Sequence, residues 1–275
     1  MPKTVKDVLI INDFAGYGRV STQAMIPVLS HYGHHTYALP TSLVSNTLEY
    51  GRFVIHDTTE YMRQAVSVWN DLGFRFDNIT VGFLNSHEQV DIIRGIIERN
   101  QPSFVLVDPI MAENGKLYDG MYPGVIDCNK KMAGVASVFV PNVTEACMVS
   151  DMYLDKPSLT TAELHEMAQK LLSMGPRDLV ITGCEPSDRD VAFNYVYDHE
   201  TDAFHEVVYE RIPTQFIGTG DLFSGILTAE CLSGSSILHA VKVASSFISI
   251  VLQDNLDTED HYDLHFERYM KLLNI

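Results

Sequence analysis

The feature that most constrains this chain is alternation: short apolar runs ending in polar or turn-forming residues are separated by longer stretches with helical spacing. Val5–Asn12 (VKDVLIIN) predicts a buried strand. Ser21 to Tyr32 predicts a helix with Ala24, Ile26, Val28 and Leu29 as its apolar positions and Gly33 as its stop. Thr36–Leu39 predicts a second strand, Asp57–Leu72 a helix with a capping-type start, Asn78–Phe83 a strand and His87–Asn100 a helix. Ser103–Val107 (SFVLV) and Ala136–Val140 are strands closed by Asp108-Pro109 and Pro141-Asn142. Thr160–Ser173 is a helix, and Asp178–Thr182 (DLVIT) is a strand closed by Gly183. Such repetition argues for an α/β architecture, a mainly parallel sheet covered by helices on both faces.

Val191 to Arg211 breaks the pattern. Two short alternating runs have no helix between them, as in a hairpin at a sheet edge. Two helices follow, Asp221–Leu232 and Ser236–Leu252. No linker, low-complexity tract or internal repeat interrupts the sequence, so residues 1–275 read as one domain.

Charge narrows the partners. The 19 Lys and Arg stand against 36 Asp and Glu, a net charge of −17. A field of that sign repels nucleic acid and anionic membrane surfaces, so neither is expected to bind. It also repels phosphates. A nucleotide site would need local positive potential from a divalent cation, helix-start amides or a few Lys and Arg. Cys128, Cys147, Cys184 and Cys231 are not at metal-ligand spacing and read as mostly buried thiols in a reducing compartment. No signal-peptide pattern and no run near the ~20 apolar residues of a membrane span is seen, so a cytoplasmic location is expected.

Open α/β sheets bind ligands beyond the carboxyl ends of their strands. Four segments there or at a helix start carry chemistry. In Gly218-Thr219-Gly220-Asp221, two glycines let backbone amides converge at the start of an apolar helix, a geometry that favours a phosphate or developing phosphoryl charge. Asp221 is placed to accept a proton there; the structural alternative is an Asp that caps a helix. Asn142 and Glu145 form a helix capping box by spacing, and Glu145 is also a candidate to hold Mg²⁺ directly or through water. Asp108, after a buried strand, is a candidate for Mg²⁺ or phosphate, or a turn-forming partner of Pro109. Ala112 to Gly124 (AENGKLYDGMYPG) reads as a long mobile loop of the kind that closes over active sites. The turn with Asp13, Ala15, Gly16 and Gly18 resembles half of a dinucleotide fingerprint but lacks its third glycine. The eleven histidines show no ligand spacing. His34, His35, His261 and His265 read as surface residues, the last two on one helix face.

Taken in order, these segments resemble the pyridoxal/pyridoxamine kinases of the ribokinase-like superfamily, which also includes hydroxymethylpyrimidine kinases. The resemblance rests on NDFAGYGRVS (12–21), LPTSLVSNT (39–47), VGFLNS (81–86), VDPIMAENGKLY (107–118), PNVTEA (141–146), ITG (181–183) and GTGDLFSGIL (218–227). It implies a three-layer α/β/α sandwich, usually a homodimer, that binds ATP and Mg²⁺ at the carboxyl edge and transfers phosphate to a small vitamer. In that reading Asp221 is the base, and the amides of Gly218, Thr219 and Gly220 form the anion hole. Asp108, Asn142 and Glu145 serve the metal–phosphate region, and Thr182 and Gly183 touch the nucleotide phosphates. Asp13, Thr41, Ser42, Thr47 and Phe83 line the vitamer pocket.

The chain departs from the family pattern at Ala112-Glu113 (commonly Gly-Asp), Ala15 (commonly Ser), Val140 (commonly Thr), Asn85 (commonly Gly) and the shortened stretch Ser45-Asn46-Thr47. These changes keep two alternatives open: a kinase for hydroxymethylpyrimidine or another small alcohol, and a vitamer-binding protein without catalysis.

Overall fold

The computed structural model describes residues 5–214, 216–256 and 263–273. In chain order the elements are β1 (Asp7–Ala15), α1 (Ser21–His31), β2 (His35–Val44), β3 (Ile55–Asp57), α2 (Thr59–Asp71), β4 (Asn78–Val81), α3 (His87–Asn100) and β5 (Phe104–Val107). There follow β6 (Ala112–Glu113), β7 (Lys116–Leu117), α4 (Val125–Ala133), β8 (Val138–Phe139), α5 (Val143–Ser150) and α6 (Thr161–Leu172). The last are β9 (Asp178–Cys184), β10 (Ala192–Asp198), β11 (Ala203–Tyr209), α7 (Thr219–Leu232) and α8 (Ile237–Asp254).

Nine strands form one sheet in the order β11-β10-β9-β8-β5-β4-β1-β2-β3. The six from β9 to β2 are parallel; β3, β10 and β11 add antiparallel edges. Alternation of side chains along β1 explains the sandwich. Val8 and Ile10 enter a core shared with α1, α7 and α8, whereas Leu9 and Ile11 enter a second core shared with α2 to α6. A strand buried on both faces must read as a continuous apolar run, as LIIN does.

The expected edge hairpin is β10–β11, whose register pairs Ala192 with Tyr209 and Asp198 with Ala203. β2 continues five residues past the expected Leu39, to Val44, because its partner β1 also extends, to Ala15. The short strand β3 and the helix α4 were not expected. The segment read as an open mobile loop instead begins as a hairpin. Asn114 and Gly115 both take positive φ, 52° and 77°, as a two-residue turn requires, and Asn-Gly is the residue pair best suited to it. Neighbouring glycines hid that signal. His34 is buried rather than on the surface, its ring nitrogen 3.4 Å from the Lys6 amide, because it enters β2 alongside β1. His261 lies outside the described residues, and His265 precedes the short 3₁₀ turn Glu267–Leu272 rather than lying on a helix.

α8 qualifies by length and composition as a membrane-crossing helix, with 18 residues and a mean hydropathy of 1.3. Here its Ala240, Val241, Ala244, Phe247 and Val251 stripe packs into the core. All four cysteines are free thiols; three are buried and Cys231 is partly so.

Candidate active site

The parallel strands end on one side of the sheet, and one cleft of about 470 Å³ opens there. Its wall takes Asp13 from β1, Phe83 after β4, Asp108 after β5, Asn142 after β8 and Thr182 from β9. β1 carries a register shift between Asn12 and Phe14, an irregularity that re-aims the side chains beside it.

The start of α7 closes the cleft. Gly218 is its N-cap at φ 88°, in the left-handed region, and no side chain caps this helix. A Cβ built on Gly218 would lie 2.4 Å from the Arg19 carbonyl oxygen, so both space and dihedral require glycine. Arg19 is held from the far side, its amide donating to Asp263 Oδ1 at 3.0 Å and its guanidinium pairing with Asp263 and Glu267. The amides after Gly218 begin the helix, where backbone donors are unsatisfied and the dipole favours an anion. Asp221 stands in the first turn, beside them.

Eight carboxylates line this cleft, with Arg211 the one Lys or Arg among its described lining residues. Arg211 is itself paired with Asp190 and Glu185. Burial therefore dominates the acids. It pushes Asp13 up to about 7, eased by the Ser21 hydroxyl and reinforced by Asp221. It pushes Asp108 up to about 7, eased by the Ser224 hydroxyl at 2.7 Å and reinforced by Asp221. Asp221 rises to about 6 by burial, held down by the Ser21 amide and the Asn12 carboxamide. Burial and then Asp108 hold Glu145 well above the usual carboxylate range, against three backbone donors. Burial and then Glu49 raise Glu113.

These shifts predict a stability–pH relation. A carboxyl whose folded-state value is raised binds protons more tightly in the fold than when unfolded. Its contribution is complete below its ordinary value near 3.8 and is lost as pH rises through about 6 to 7 for Asp13, Asp108 and Asp221. The melting temperature without divalent cations is expected to fall between pH 5 and pH 8, and Mg²⁺ is expected to recover part of the loss at pH 8. A flat profile in differential scanning fluorimetry would contradict the burial of these charges.

Of the residues expected at the site, Asp13, Thr47, Phe83, Asp108, Asn142, Glu145, Thr182, Gly183, Gly218, Thr219, Gly220 and Asp221 all line the cleft. Thr41 and Ser42 do not, which corrects their placement in the vitamer pocket. Both are fully buried; Thr41 Oγ1 donates to the Phe83 carbonyl at 2.7 Å and Ser42 Oγ to the Thr41 carbonyl at 2.9 Å. Thr41 thereby braces the Phe83 backbone. The capping box of Asn142 and Glu145 forms in full, at 2.9 Å in both directions. Glu145 Oε1 also accepts from the amides of Met111 and Ala112, tying the hairpin to α5.

Sequence reasoning missed Ser21, which bonds to both Asp13 and Asp221 and sits at φ 52°, a conformation unusual for a serine. It also missed Tyr118, which lines the cleft and whose hydroxyl is raised by burial and then by the charges of Glu145, Glu113, Asp108 and Asp221. Neither has a local sequence signal, since each is defined by what packs around it.

Comparison with known proteins fits this geometry. Residues 21–264 match the family model described as phosphomethylpyrimidine kinase. The chain belongs to this family. A pyridoxine/pyridoxal/pyridoxamine kinase of Bordetella avium is 27% identical over 254 residues, covering 88% of this chain and 83% of that protein. The thiamine biosynthetic bifunctional enzyme TH1 of Arabidopsis thaliana is 30% identical over 197 residues, 70% of this chain, and the match spans only 36% of that longer protein. Among solved structures, one described as a phosphomethylpyrimidine kinase, from Bacteroides thetaiotaomicron, superposes with a TM-score of 0.92 at 28% identity, covering 100% of this chain and 96% of that one. A second crystal form of it contains pyridoxal. The fold is the ribokinase-like sandwich, and the protein is a phosphotransferase acting on an alcohol group.

Proposed function

We propose that the protein phosphorylates the hydroxymethyl group of pyridoxal, pyridoxamine or pyridoxine with ATP, a vitamin B6 salvage reaction. One observation carries the assignment: the helix-start turn with Asp221 and the pocket wall of Asp13, Thr47 and Phe83 share a single cleft. Within that pocket Thr47 Oγ1 is buried without a partner among the described residues. Asp13, Phe83 and this orphan hydroxyl supply polar and aromatic contacts suited to a small substituted ring.

The substrate oxygen attacks the γ-phosphorus of ATP in line, the bond to the leaving ADP oxygen breaks, and Asp221 takes the hydroxyl proton. The amides of Gly218, Thr219 and Gly220 bind the developing charge, with Thr182, Gly183 and Asn142 along the remaining phosphates. Among the described residues no group of three or more His, Cys, Asp or Glu is arranged to hold a metal by itself. That suits Mg²⁺, which binds through one or two carboxylates together with substrate phosphates and water. Asp108 is the nearer fit, and Glu145, with both oxygens taken by amides, serves through water. When bound, Mg²⁺ neutralises phosphate charge in a cleft that offers little of its own.

The single kinase domain works in the cytoplasm as a homodimer; the four free thiols support a reducing setting, and the family resemblance supports the dimer. Ala15, which replaces a hydroxyl at the cleft, and the family description favour a second reading, a hydroxymethylpyrimidine kinase. ADP release across a panel of B6 vitamers, hydroxymethylpyrimidine and simple alcohols decides between them. The B6 vitamers are expected to give the highest kcat/KM. A tenfold preference for hydroxymethylpyrimidine would transfer the assignment, and vitamer binding without ADP would remove catalysis.

A further inference from the structure

Asn12 lies at the end of the β1 core, 1% exposed, and has no role in the reaction described above. Its side-chain oxygen accepts from two backbone amides, Asp13 at 2.9 Å and Phe83 at 2.8 Å. Two donors on one atom identify that atom as the oxygen, so the nitrogen must face the other way. It does so toward Asp221, 3.4 Å from Oδ1. The carboxamide cannot swing aside, because Gly82 lies flat against it. A Cβ on Gly82 would stand 2.5 Å from Asn12 Cγ and Oδ1. One immobilised side chain thus joins both walls of the acceptor pocket to the carboxylate on α7.

We propose that Asn12 is a positioning residue for phosphoryl transfer. Its nitrogen fixes the rotation of the Asp221 carboxylate, and its oxygen locks that orientation to the Asp13 and Phe83 backbone that shapes the acceptor pocket. The inference rests on the reading of Asp221 as the base. It also explains why the apolar run of β1 gives way at Asn12 to a polar residue held inside the protein. An apolar side chain there would leave two buried amides unpaired and the carboxylate free to turn.

The test separates the two ends of the carboxamide. Asn12→Asp keeps an oxygen for the two amides and replaces the donor with an acceptor. Asn12→Ser is uncharged and too short to reach Asp221. The charged or titratable groups facing Asp221 are Asp13 from β1, Asp108 after β5 and Tyr118 beyond β7, while α1 contributes the Ser21 amide. All are unchanged in both variants. With Mg²⁺-ATP and saturating pyridoxal, kcat at pH 7 is expected to fall about 10- to 100-fold, the scale of a hydrogen bond to a charged group. KM for ATP should stay within about threefold. The acid limb of kcat should move to higher pH in both variants, since the ionised base loses a donor.

In an Asp221→Asn background, adding Asn12→Ser should cost less than about threefold, because the two act through one group. An unmoved acid limb in a folded Asn12→Ser protein, or full additivity with Asp221→Asn, would overturn the role. If Asn12→Asp fails to fold, the serine variant alone carries the test. Failure of the underlying reading looks different: Asp221→Asn by itself would then retain activity and its acid limb.

Discussion

Replacing Asp221 with Asn is expected to lower kcat by about 100- to 10,000-fold, the range of general-base contributions, with little change in KM for ATP. The substitution preserves size and place in the first turn of α7, so the amides of Gly218, Thr219 and Gly220 still meet the phosphates. The capping alternative can be weighed directly. The N-cap of α7 is Gly218, and no side chain caps this helix, so Asp221 is not holding its end together. Its carboxyl is raised to about 6 by burial, which means that ionisation above that pH costs folding energy. Asn carries no such cost. The melting temperature of Asp221→Asn at pH 8 is therefore expected to equal or exceed that of the parent while turnover collapses. A folded variant that keeps more than about a tenth of parental kcat would show that the base is another residue.

The sheet was legible because a strand buried on both faces has no choice of residue. The run LIIN, the SFVLV run and DLVIT could be little else, and the capping box at Asn142 formed as its spacing predicts. Elements whose stability comes from tertiary contacts were harder to read. β3 has three residues and one short partner, Val44 to Ser42 of β2, so its pattern is below what periodicity can detect. α4 lies behind a glycine-rich stretch that suggests only loop. The hairpin at Asn114-Gly115 depends on Glu145 binding two amides from another part of the chain.

The site divides in the same way. Gly218, Thr219, Gly220 and Asp221 form one contiguous device, and its local sequence carries its geometry. Thr41 and Ser42 belong to a contiguous motif as well, yet Thr41 bonds to the Phe83 carbonyl and Ser42 to the Thr41 carbonyl, contacts that no count of residues along the chain reveals. Asn12 and Ser21 matter through partners about 200 residues distant, so their roles emerge only when β1, α1 and α7 are seen together.

Gly218→Ala should be the most damaging change outside the carboxylates. At φ 88° an alanine is strained by roughly 1–2 kcal/mol from its backbone alone. The added Cβ would also meet the Arg19 carbonyl oxygen at 2.4 Å and Val20 Cγ1 at 3.2 Å. The backbone contact cannot yield as a flexible side chain would. Arg19 is fixed at its amide by Asp263 and at its guanidinium by Asp263 and Glu267, so retreat of one strand of chain would break ion pairs on the other. The less costly adjustment is rotation of the Gly218–Gly220 turn, which swings its amides away from the phosphate. Loss of a single preorganised anion donor typically costs about 100- to 1,000-fold in kcat, and this change misaligns the whole turn. We expect kcat to drop at least that far, together with a lower melting temperature. Gly220→Ala is the control: an added Cβ there meets nothing within 4 Å, and the residue already lies in the helix. It should retain most activity and stability. Equal losses in the two variants, measured as kcat and melting temperature on purified proteins, would mean that the turn demands small residues generally and that the left-handed conformation at Gly218 is not what shapes the anion site.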